Sequence, residues 1–141
     1  MNPPFALKRD DEKEYKFVDH ALRQMQDGGL LFSVLPYSAM VRPHRYKQWR
    51  EKSLLANNTL LCVLTFPQDL FYPIGVHTLG IFVKKGIRHP REQKVLWIRA
   101  VNDGLLKSKG KRLPNPKAAN DYEQIRSTVY SVPQISDHVI R

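Results

Sequence analysis

The sequence predicts an α/β fold, a sheet flanked by helices and closed by an antiparallel hairpin. Amphipathic segments alternate with apolar runs, the pattern that lays helices over a sheet. Two apolar runs, Thr59 to Phe66 and Thr78 to Val83, are separated by only about eleven residues, too few for a helical crossover, so they should lie antiparallel. Finally, 141 residues with 42% apolar and 26% charged content match ordinary globular usage and suffice for one core.

Acidic residues from Asp10 to Glu14 precede a segment in which Phe17, Ala21, Leu22 and Met25 share one helical face, and Gly28-Gly29 ends it. Leu30 to Leu35 is nearly unbroken apolar sequence stopped by Pro36, the signature of a strand buried on both faces. Tyr46 to Ala56 sets Tyr46, Trp49 and Leu54 among charges, a second amphipathic helix ending at Asn57-Asn58. Thr59 to Phe66 repeats the buried-strand pattern and stops at Pro67; Thr78 to Val83 runs into Lys84-Lys85-Gly86. Val95 to Val101 is a fourth strand candidate. From Pro114 onward, proline and polar residues with a weak helical segment at Tyr122 to Val129 predict a loosely packed tail.

Lys and Arg number 23 against 13 Asp and Glu, a net charge of +10 that favours a polyanionic partner. The basic residues concentrate between Lys84 and Arg112, where Lys107, Lys109, Lys111 and Arg112 could track phosphates or form a solvated, flexible face. Cys62, the one cysteine, excludes an intrachain disulfide and suggests a reducing compartment. With neither a signal-peptide pattern nor an apolar stretch of membrane-spanning length, the expectation is a soluble, cytoplasmic protein. The five histidines lack the spacing of zinc ligands, and no metal site is expected.

The residues richest in chemistry are Asn2, Pro3, Pro4 and Phe5. Two prolines fix the backbone so that the Asn carboxamide and a proline carbonyl can both accept from an exocyclic amine. That leaves the amine lone pair free to attack an electrophilic methyl group, while the aromatic ring offers a stacking face for an extruded base. The bland alternative is a proline-rich amino-terminal cap.

Several blocks follow this motif in order: Gly28-Gly29-Leu30-Leu31-Phe32-Ser33-Val34-Leu35-Pro36, Trp49-Arg50 with Leu54-Leu55, Leu64-Thr65-Phe66-Pro67, and Phe71-Tyr72-Pro73 with Gly75-Val76-His77-Thr78. Together, from Asn2 to Lys85, they resemble the catalytic half of N6-adenine-specific DNA methyltransferases, most nearly the modification subunits of type I restriction systems. The resemblance implies a partial Rossmann-like S-adenosylmethionine-dependent methyltransferase fold ending in an antiparallel hairpin, with DNA as partner and S-adenosylmethionine as cofactor. It also implies that Asn2 holds the adenine amino group through its side chain, Pro3 through its carbonyl, and that Phe5 stacks on the flipped ring. A later family aromatic corresponds to Phe71 or Tyr72.

In this family the glycine-containing cofactor loop and an acidic residue for the ribose precede Asn-Pro-Pro-aromatic. Here the motif starts at residue 2, so no cofactor-binding residue is identifiable. The expectation is a fragment lacking the amino-terminal cofactor half and inactive alone. A separate chain carrying that half, or a specificity or restriction subunit, is the expected partner. Residues 1–86 would form the catalytic half and 87–141 a basic extension. The rival readings are a non-catalytic DNA-binding or assembly fragment and a decayed remnant.

Overall fold

The structure, a computed structural model, describes residues 1–4 and 13–139. Helix α1, Glu14–Gln24, buries Tyr15, Val18 and Leu22, with Ala21 and Met25 packed against the same core. The face is rotated from the expected one, and Phe17 is only half-buried. Aromatic packing chooses it: the Tyr15 ring meets Tyr46 edge-on at 5.4 Å and lies 5.5 Å from Trp49. The turn after α1 uses Gly28 at φ 84, where its N–H donates to the Lys85 carbonyl, and Lys85 N–H returns a bond to Gly29.

Strand β1, Leu30–Pro36, leads into a short helix α2, Ser38–Val41. The single helix expected over Tyr46 to Ala56 is divided into α3, Arg45–Trp49, a π turn, Arg50–Leu54, and α4, Leu55–Asn57. Tyr46, Trp49 and Leu54 are nevertheless the buried residues, as the pattern predicts. Hydrogen bonds hold the widened turn in place. The Arg50 guanidinium donates to the carbonyls of Ala39 and Arg42, while Trp49 Nε1 and Ser53 Oγ both donate to Asp19 Oδ1.

Strands β2, Asn58–Thr65, β3, Thr78–Lys85, and β4, Leu96–Arg99, complete a sheet of order β1-β3-β2-β4. β3 lies antiparallel to both neighbours, as the short β2–β3 connection requires, and β4 runs parallel to β2. A bulge at Leu61 interrupts the β2–β3 register, so Leu60 and Val63 face one layer while Leu61, Cys62 and Leu64 face the other. β2 is buried on both sides. β1 is not: Leu31, Ser33 and Leu35 are buried, whereas Leu30, Phe32 and Val34 are half-buried. The second helical layer centres on β2 and leaves that face of β1 partly open.

That second layer is the segment expected to be a loose tail. Helices α5, Tyr122–Tyr130, and α6, Pro133–Val139, bury Ile125, Val129 and Ile135 against Leu61, Cys62 and Leu64. The Asp121 carboxylate starts the layer by accepting from the backbone N–H groups of Val101 and Asn102, bonds that lower its pKa. The basic stretch is a hairpin, β5, Leu105–Ser108, with β6, Lys111–Pro114. Its tip, Lys109-Gly110, takes positive φ at both residues, the geometry that matches the twist of a tight hairpin. No helix among the described residues is long and apolar enough to cross a membrane.

Candidate functional site

The amino terminus is fastened to the outer edge of β1. The Met1 ammonium donates to the Phe32 carbonyl at 2.5 Å, and Val34 N–H donates to the Met1 carbonyl at 2.9 Å. One residue exchanging bonds with positions on either side of Ser33 is a parallel pairing, so Asn2-Pro3-Pro4 is carried toward the carboxyl end of β1. Asn2 and Pro4 are exposed and Pro3 is buried. Phe5, the proposed stacking ring, lies outside the described residues.

Phe71 and Tyr72 sit half-buried in the loop between β2 and β3, which leaves the sheet at the same end. Successive turns shape this loop: Leu70 N–H donates to Pro67, Tyr72 N–H to Asp69 and Ile74 N–H to Phe71. Two of the basic residues singled out from sequence brace it. Lys107 Nζ reaches Asp69 Oδ2 at 3.4 Å, and the Arg112 guanidinium donates to the Leu70 carbonyl. Lys107 is chiefly bound to Asp103, and Lys109 and Lys111 remain exposed around the hairpin tip. The spacing of these four residues in the chain gives no hint of this division.

An open cleft of 740 Å³ lies at this end of the sheet. Tyr37 after β1, His77 before β3, Thr65 at the end of β2 and Arg99 at the end of β4 all line it, one from each strand in spatial order. The Tyr37 and His77 rings stack with centroids 4.6 Å apart and planes 6° apart, and Tyr37 N–H donates to the His77 carbonyl. Tyr37 and Arg99 carry no motif, which is why sequence inspection passes over them; His77 reads there as a turn residue. No group of three or more His, Cys, Asp or Glu side chains converges as a metal site among the described residues.

The family model described as N-6 DNA Methylase matches residues 2–137. The chain belongs to the N-6 DNA methylase family. A relative from Heyndrickxia coagulans, the type II restriction enzyme and methyltransferase RM.BcgI, is 33% identical over 108 residues, 74% of this chain and 17% of that protein. Among solved structures, the M protein of the type I restriction enzyme EcoKI superposes with a TM-score of 0.65 at 21% identity, covering 92% of this chain and 29% of that one. The methyltransferase subunit of a type I restriction-modification system from Streptococcus thermophilus gives 0.63 at 21%, covering 89% and 25%. These likenesses establish the methyltransferase fold, and this N-6 DNA methylase chain spans under a third of each.

S-adenosylmethionine does not fit the glycines present. A cradle needs open space above a glycine at a strand-to-helix turn. A Cβ on Gly29 would meet Gln26 O and Met25 Cε at 3.0 Å, and one on Gly80 would strike the Phe32 ring at 2.5 Å. Gly28, Gly75 and Gly110 have room, but none of them opens a helix.

Proposed function

We propose that this chain forms the adenine side of a DNA adenine-N6 methyltransferase belonging to a restriction-modification system. The observation that carries the reading is the parallel bridge of Met1 to β1, which directs Asn2-Pro3-Pro4 to the end of the sheet that also bears the Phe71–Tyr72 loop. There the Asn2 carboxamide oxygen and the Pro3 carbonyl accept the two amino protons of an extruded adenine and leave its nitrogen lone pair directed outward. Phe5, with Phe71 or Tyr72, stacks on the base. Lys109 and Lys111 approach DNA phosphates from the hairpin. S-adenosylmethionine is the methyl donor, seated by residues other than those described, in a separate chain or a cofactor half. A specificity or restriction subunit and DNA are the partners.

Methyl incorporation from labelled S-adenosylmethionine into adenine-containing DNA tests this reading. The chain alone should transfer nothing; mixed with a chain carrying the glycine loop it should become active. Asn2→Ala should then cost at least about a hundredfold, the scale of losing a donor or acceptor aimed at reacting charge. Activity retained in that variant removes the role given to Asn2, and robust transfer by the chain alone removes the division of labour.

A further inference from the structure

The four cations of the β5–β6 hairpin divide into two pairs with different work. Lys107 and Arg112 stand directly opposite each other across the ladder, a like-charge pairing that weakens a hairpin unless both charges find acceptors. The acceptors come from outside the hairpin. Lys107 Nζ binds the two carboxylate oxygens of Asp103 at 2.6 Å and 2.7 Å and reaches Asp69 Oδ2 at 3.4 Å, while the Arg112 guanidinium donates to the Leu70 carbonyl. Cross-strand neighbours thus grip Asp69 and Leu70, consecutive residues of the β2–β3 loop, and Phe71-Tyr72 follow at once. Asp69 also closes the turn that carries the aromatic pair, its carbonyl accepting from Tyr72 N–H at 3.0 Å. One rung further out, Lys111 faces Ser108, and Lys109 sits at the tip; both lysines are exposed.

Lys107 has only 13% of its side chain exposed, and its charge is committed to Asp103 and Asp69, so it has little to offer a phosphate. Arg112 is exposed, yet its guanidinium is held to a backbone carbonyl of the loop. We propose that Lys107 and Arg112 are positioning residues, which hold the Phe71-Tyr72 loop in fixed register with a phosphate-binding tip formed by Lys109 and Lys111. A short hairpin with both tip residues at positive φ is a stiff spacer, so a duplex seated on the tip meets the aromatic pair at a set distance. Four cations on one hairpin also repel one another. Phosphates at the tip relieve that repulsion and tighten the grip on the loop, and by reciprocity a gripped loop strengthens duplex binding. The inference rests on the DNA-methyltransferase reading for its ligand, and it takes Lys107 and Arg112 out of the set that touches DNA. Contact at the tip is blind to sequence, because phosphates carry no base identity.

A fluorescein-labelled, adenine-containing duplex, titrated into the intact chain over a range of salt with no methyl donor present, counts the phosphates contacted. Each one adds about 0.9 to the slope of log affinity against log salt. Lys109→Ala and Lys111→Ala should each flatten that slope by about one phosphate, and Arg112→Ala should leave it unchanged. Hydrogen exchange then reads the loop. Loss of the bond from Arg112 to Leu70 should speed exchange of the Tyr72 and Ile74 amides about tenfold in Arg112→Ala, with Arg112→Lys recovering most of the protection. In the wild-type chain, duplex should slow these amides further; to Arg112→Ala it should bind and slow nothing, a loss that a purely structural role does not produce. Asp69→Asn is the second variant, because it weakens the tie between Lys107 and the loop while the Lys107–Asp103 pair stays whole; it should reproduce part of the Arg112→Ala effect. A slope that Arg112→Ala flattens, loop exchange indifferent to both variants, duplex protection that survives in Arg112→Ala, or no salt-sensitive binding each overturns the proposal. None of these measurements reads methyl transfer, so they and the Asn2→Ala test can fail independently.

Discussion

Lys107 Nζ lies 2.6 Å and 2.7 Å from the two carboxylate oxygens of Asp103, whose side chain is 3% exposed. The pair fixes the hairpin against the chain that precedes it, and the third contact, to Asp69, extends the tie to the loop of Phe71 and Tyr72. Lys107→Ala would strand a buried carboxylate. Breaking such a pair costs about 3 kcal/mol, the lower end of the usual range because Lys107 keeps some exposure. Urea unfolding should register that loss, and Lys107→Met with Asp103→Leu should recover part of it. A wild-type midpoint in the single variant would show that Asp103 finds another donor.

Alkaline pH probes two groups at once. Burial, followed by the hydrogen bond to the Glu14 carboxylate at 2.9 Å, pushes the Tyr46 hydroxyl up to about 12. Lys107 is also raised: burial disfavours its charge, but the bonds to Asp103 and Asp69 outweigh it. In both cases the folded state holds the proton more tightly, so the stabilisation is complete below about pH 10 and fades as pH rises through the folded values. Phenolate absorbance should reveal Tyr46 titrating late, together with Tyr122, whose hydroxyl is also raised by burial. Tyr46→Phe should remove the Tyr46 part of that late titration and lower stability by about 1–3 kcal/mol, because buried Glu14 loses its donor. A late titration left unchanged by Tyr46→Phe would disprove the buried bond.

Gly80 lies under the Phe32 ring, which an added Cβ would approach to 2.5 Å. Gly80→Ala should therefore destabilise by about 1–3 kcal/mol through overpacking, seen as a lower denaturant midpoint with an unchanged slope. An unchanged or higher midpoint would mean that Phe32 turns aside without cost.

The Cys62 thiol is fully buried, and burial pushes it up to about 11. A thiol-specific chromogenic reagent should leave it untouched in the folded protein and modify it promptly in denaturant. Prompt native-state modification would contradict the packing of β2 against α5 and α6.

How far the fold was legible follows from what kind of signal each part carries. β2 and β3 announce themselves because burial leaves continuous apolar runs, and their eleven-residue connection dictates direction. The rotation of α1 did not show, since it depends on Tyr15 finding Tyr46 and Trp49, residues distant in the chain. α5 showed only as a weak helical segment, and α6 and the docking of both on the sheet escaped, because each contributes only one or two buried apolar side chains among polar neighbours. Ser108-Lys109-Gly110-Lys111 did hold a hairpin signal, masked by its charge. Asn2 to Phe5 stood out as a local motif, whereas Tyr37, His77 and Arg99 converge only once the sheet is assembled.

The strand order has a consequence for how the protein is made. β1 and β2 leave the ribosome first, yet they share no ladder; β3, the last of the three, fits between them, with Leu30 meeting Lys84 and Thr65 meeting Leu79. Two apolar ribbons must therefore wait, unpaired with each other, until their common neighbour is synthesised. Non-local closure of this kind is slow and leaves sticky strands open in the interval. A nascent chain stalled between Thr65 and Thr78 should be a client for chaperones, and one released beyond Lys85 should be far less so.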